Sequence, residues 1–123
     1  MPAARTPPAF ELDTDAAVQR LLRFLSVNAI TGHEGPIGSE LATALREAGV
    51  PADAIRFDDA HTRIPEPTPI GNLIVKLPGT GRKDARPILF MTHMDTVPLC
   101  AGAKPKVAGR RVVNELEGTT ALG

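Results

Sequence analysis

The residues of this chain best suited to chemistry are His93 and Asp95, one residue apart in Thr92-His93-Met94-Asp95-Thr96. Imidazole is the commonest metal ligand among side chains and a general acid or base near neutral pH. A metal-bound imidazole usually donates its other ring N–H to a carboxylate, which fixes the tautomer and the ring direction, and Asp95 is close enough in sequence to be that carboxylate. The spacing alone is permissive. With three His and seven Asp in 123 residues, a His-x-Asp match arises by chance in about one chain in six. A strand-end histidine hydrogen-bonded to a turn aspartate uses the same pair with no metal.

The other reactive side chains form weaker patterns. His33 and His61 read as loop or surface histidines, and Asp58-Asp59 with His61 offers metal-compatible atoms in a proline-flanked loop that sets no coordination geometry. Cys100 stands seven residues after His93, but a Cys–His nucleophile pair needs an orienting third group, and none is apparent; it reads as a small loop or core cysteine. Glu115 and Glu117 precede Gly118 and read as a solvated pair. The glycines at 71, 79 and 81 mark turns and make no phosphate-binding fingerprint.

The elements that must position His93 and Asp95 follow from periodicity and punctuation. Val18, Leu21, Leu22 and Leu25 fall at helical spacing, predicting an amphipathic helix from about Asp13 to Asn28 with Asp13 or Thr14 as N-cap. After a loop at Thr31–Gly35, Pro36 sits at a first helical position ahead of Ile37, Leu41, Leu45 and Ala48, and Gly49 stops this second helix. Pro51-Ala52-Asp53 turns into a short strand at about Ala54–Phe57. The proline-rich stretch Ile64–Pro69 is a surface connection, and Gly71-Asn72 opens a strand at Leu73–Leu77. Ile88-Leu89-Phe90-Met91-Thr92 is apolar on both faces, as a central strand covered by helices on both sides would be. Pro98 to Arg111 shows no clear period. This order predicts an α/β layered fold with further elements outside the chain. His93 stands where the central strand ends, and ligand crevices of open α/β sheets lie outside the carboxyl ends of their strands.

Pro87-Ile88-Leu89-Phe90-Met91-Thr92-His93-Met94-Asp95-Thr96-Val97-Pro98 resembles the first metal-ligand motif of the zinc-dependent aminoacylase and exopeptidase family that contains peptidase T, carboxypeptidase G and acetylornithine deacetylase. Gly71–Gly79 is similar to the strand preceding that motif, and Thr31-Gly32-His33-Glu34-Gly35 to an early loop of the Ser-Gly-x-Glu type; the resemblance runs from about Leu21 to Gly123, with peptidase T-like relatives most similar. It implies an incomplete three-layer α/β/α catalytic domain over 13–123, its N-terminal part only. His93 would be a terminal ligand of one of two zinc ions, and Asp95 the active-site carboxylate that orients it. The implied reaction is hydrolysis of a small peptide or N-acyl amino acid by metal-activated water, and a homodimer is compatible with the full-length form. The family's bridging Asp, paired Glu residues and distal His have no counterparts after Asp95. Thr119-Thr120-Ala121-Leu122-Gly123 resembles the small-residue stretch before the bridging Asp, so the chain is expected to stop just short of it and to be inactive alone. The alternative is a non-catalytic binding module or a truncated gene product without independent activity.

Composition sets the outer bounds. The chain has 14 basic and 14 acidic residues, four Phe and neither Trp nor Tyr. Its charge is uneven, with six basic and ten acidic residues over Met1–Val75 against eight and two over Lys76–Arg111. The basic stretch has no interleaved aromatic residues to stack on bases, so no nucleic-acid partner is expected. A lone cysteine permits no internal disulfide, and no apolar run reaches the roughly 18 residues of a membrane span. The cytoplasm is the default compartment. Residues 1–12 lack an apolar core and read as a loose tail, not a signal peptide.

Overall fold

The computed structural model describes residues 11–81 and 84–122, so most of the expected tail over 1–12 lies outside the described residues. Helix α1 spans Thr14–Leu25 and helix α2 spans Gly35–Glu47. Strands β1 (Ile55–Phe57) and β2 (Leu73–Val75) pair antiparallel, and β3 (Pro105–Ala108) and β4 (Arg111–Asn114) form a second antiparallel ribbon. Short 3-10 turns at Ala52–Ala54, Ala60–Arg63 and Pro98–Cys100 join them. The described residues thus form a small mixed domain of two helices and two two-stranded antiparallel sheets. That is compatible with the α/β class.

Local chemistry explains where the helices begin and end. The Asp13 carboxylate accepts from Ala16 N–H at 2.9 Å, satisfying one of the open donors of the first turn of α1. Asp15 in the first turn and Arg23 in the last complement the helix dipole. Helix α2 has Pro36 in its first turn and closes with Gly49 at φ +88°. There Val50 N–H reaches Leu45 O and Gly49 N–H reaches Arg46 O, the paired bonds of a left-handed glycine stop. Arg23 of α1 bridges Glu40 and Glu47 of α2, an ion-pair link between the two helices.

The core is small. Ala29, Ile37, Ala42 and Cys100 are its buried apolar residues, and α2 carries two of them. Burying Ile37 contributes about 2 kcal/mol. Gly38 lets α2 approach the first sheet: a Cβ there would stand 2.2 Å from Ile70 Cδ1 and 3.2 Å from the Phe57 ring. At the sheet entrance, Asp58 accepts from Asn72 N–H (2.8 Å), Asn72 Nδ2 (2.9 Å) and Ala60 N–H (3.1 Å). These bonds hold its carboxyl below the usual carboxylate range.

Two expectations are corrected. Ile88–Thr92, expected as a central strand buried on both faces, belongs to neither sheet, and Ile88–Met91 is 80–89% exposed. A central strand needs a neighbour at each edge and a layer on each face, and the described residues supply neither. The stretch 98–111, in which no period was evident, contains β3 and the start of β4. The turn between them, Gly109-Arg110, places only the glycine at positive φ (+61°), as a two-residue hairpin with glycine first requires.

Candidate functional site

His93 and Asp95 lie on the segment that follows the exposed stretch, and the loop between α1 and α2 holds that segment in place. Ile30 and Thr96 form a parallel bridge, with Thr96 N–H donating to Ala29 O at 2.7 Å and Thr31 N–H to Thr96 O at 3.0 Å. The Thr31 hydroxyl donates to Asp95 Oδ2 at 2.6 Å. Glu34, in the same loop, accepts from Gly32 N–H at 2.7 Å through Oε1, and its Oε2 is buried without a partner among the described residues.

The histidine and the aspartate meet. His93 Nδ1 stands 2.9 Å from the Asp95 carbonyl oxygen and 3.2 Å from Asp95 Oδ1. Both facing atoms are acceptors, so Nδ1 carries a proton, and the tautomer this selects has its lone pair on Nε2. The ring is largely exposed, and among the described residues no hydrogen bond engages Nε2. Asp95 is held below the ordinary carboxylate range, first by the Thr31 hydroxyl and to a smaller extent by His93, with partial burial opposing. The arrangement presents one imidazole nitrogen outward with its other nitrogen anchored, the orientation a metal-ligating histidine adopts.

One nitrogen does not close a metal site. Among the described residues no group of three or more His, Cys, Asp or Glu side chains comes together in a way that could hold an ion. Zinc takes at least three protein ligands in catalytic sites and four in structural ones. The residues present therefore do not fit a bound zinc without further donors.

The remaining candidates have other places. His33 lines an open depression of about 410 Å³ with Asn28, Ile30, Gly35, Pro36 and Pro69, and neither His93 nor Asp95 borders it. His61 is half-buried with Nδ1 unpartnered among the described residues, while Asp58 is committed to the Gly71-Asn72 turn and Asp59 pairs with Arg63. Cys100 is buried, as expected of a core cysteine. Glu115 pairs with Lys106 at 2.5 Å, which lowers its carboxyl pKa, and so belongs to the β3–β4 ribbon. Glu117 is exposed. The residue that sequence reasoning missed is Thr31. Its loop was noted, but its contact with Asp95 spans 64 residues and leaves no local signal.

No family model, curated protein or solved structure matches the chain in the comparisons made. Among the described residues no helix is long and apolar enough to cross a membrane.

Proposed function

We propose that this chain carries the first ligand segment of a zinc-dependent peptidase or amidohydrolase, resembling the peptidase T-like branch. In this reading His93 Nε2 serves as a terminal metal ligand and Asp95 orients its ring. The single observation that carries it is the His93 Nδ1 contact with Asp95, which leaves Nε2 outward in the middle of the Pro87–Pro98 motif. In a complete site, metal-activated water would hydrolyse a small peptide or N-acyl amide bond. The donors that complete the site come from outside this chain, and the isolated chain is inactive.

Zinc titration of the purified chain at neutral pH tests the proposal. Weak one-to-one uptake, lost in His93→Ala and kept in His33→Ala and His61→Ala, is expected. Uptake that survives His93→Ala overturns the ligand assignment. Chelator-sensitive hydrolysis of di- or tripeptides by the isolated chain overturns the incomplete-site reading.

A further inference from the structure

Ile30-Thr31-Gly32-His33 is a tight turn, closed by His33 N–H donating to Ile30 O at 2.9 Å. Gly32 stands at φ +88° and Thr31 at negative φ, so the glycine occupies the left-handed position that a type II turn requires. The turn is pinned from several directions. Thr31 N–H donates to Thr96 O at 3.0 Å, Thr96 N–H to Ala29 O at 2.7 Å, and Gly32 N–H to Glu34 Oε1 at 2.7 Å. Thr31 is β-branched and stiff at χ1, so a fixed backbone leaves its hydroxyl few positions.

Two acceptors lie within reach of that hydroxyl, Asp95 Oδ2 at 2.6 Å and Thr96 O at 3.4 Å. The shorter contact, to a charged acceptor, is the one its proton fills. Asp95 depends on this bond for its direction. Its side chain is 31% exposed, and among the described residues Thr31 and His93 are the side chains that engage the carboxylate. His93 cannot return the support, because at 82% exposed its ring is too open for packing to orient it.

We propose that Thr31 is a positioning residue that acts through Asp95 on His93. By holding Oδ2, its hydroxyl aims Oδ1 at Nδ1, 3.2 Å away, and so selects the tautomer in which Nδ1 is protonated and Nε2 is open. The Asp95 carbonyl, 2.9 Å from Nδ1, favours the same tautomer. Loss of the hydroxyl therefore weakens the selection without reversing it. The proposal rests on the reading of His93 as a metal ligand for the use of Nε2, while the positioning itself needs no metal.

Ring-nitrogen chemical shifts of His93 in the full chain, measured without metal about two pH units above the ordinary imidazole pKa of 6.5, report the tautomer ratio. Thr31→Val removes the hydroxyl and keeps the branched shape. It should lower the ratio of Nδ1–H to Nε2–H roughly threefold or more, as one hydrogen bond would, and Thr31→Ser should restore the parent ratio. Asp95→Ala should lower the ratio at least as far, and Thr31→Val should add nothing in that background. Thr31→Ala repeats the test should valine disturb the Ile30–Thr96 bridge, which amide exchange at Thr31 and Thr96 reads. A ratio unchanged by loss of the hydroxyl overturns the proposal, whatever zinc does. So does an effect that persists undiminished beside Asp95→Ala or that Thr31→Ser shares. A changed ratio in Thr31→Val, beside a parent chain that takes up no zinc, supports the positioning role and overturns the ligand assignment instead.

Discussion

A carboxylate has two oxygens and about four lone-pair positions, and at Asp95 the structure divides them: Oδ2 accepts from the Thr31 hydroxyl while Oδ1 faces His93. Removing one donor should shift the carboxyl measurably. Thr31→Val is expected to raise the Asp95 pKa toward the ordinary value of about 3.9, with Thr31→Ser keeping it low; a carbon-detected titration of the side chain follows both. An Asp95 titration unchanged in Thr31→Val rules out the hydroxyl as its main support. The His93–Asp95 proximity was legible in the sequence because it spans two residues. The Thr31 contact was not, because it depends on how the inter-helix loop docks.

At the scale of elements, two glycines mark close approaches that differ in what would have to yield. A Cβ at Gly71 would stand 2.1 Å from the backbone oxygen of Asp58, whereas at Gly38 the nearest atom is the movable end of Ile70. Gly71→Ala should therefore cost the more, about 3 kcal/mol against about 1 kcal/mol for Gly38→Ala, within the range of overpacked sites. Comparison of urea midpoints decides the order. Both helices could be read from the sequence to within a few residues, since an Asp13 cap, a Pro36 start and a Gly49 stop act through neighbours along the chain. The β3–β4 ribbon was missed because its strands are four residues long and its Gly109-Arg110 turn lacks an Asn-Gly or Asp-Gly signal. Ile88–Thr92 has the composition of a buried strand, yet composition says only what a segment could pair with, and pairing needs partners.

For the whole molecule, Glu47, Asp58, Asp95 and Glu115 all titrate below their ordinary values, held there chiefly by Arg23, Asn72, Thr31 and Lys106 in turn. A carboxyl with a depressed folded-state pKa contributes stability above its unfolded pKa and loses that contribution as pH falls through the folded value. The urea midpoint should fall progressively below about pH 4, with these carboxyls adding no pH dependence near neutrality. A midpoint that holds steady through the acid range contradicts these contacts. Finally, the Thr31–Asp95 bond closes a loop of 64 residues, at an entropic cost of about 3.7 kcal/mol before any constant term. The β3–β4 ribbon turns through two residues, and each helix forms from neighbours. The parts of the candidate site consequently come together late in folding, on a framework already in place.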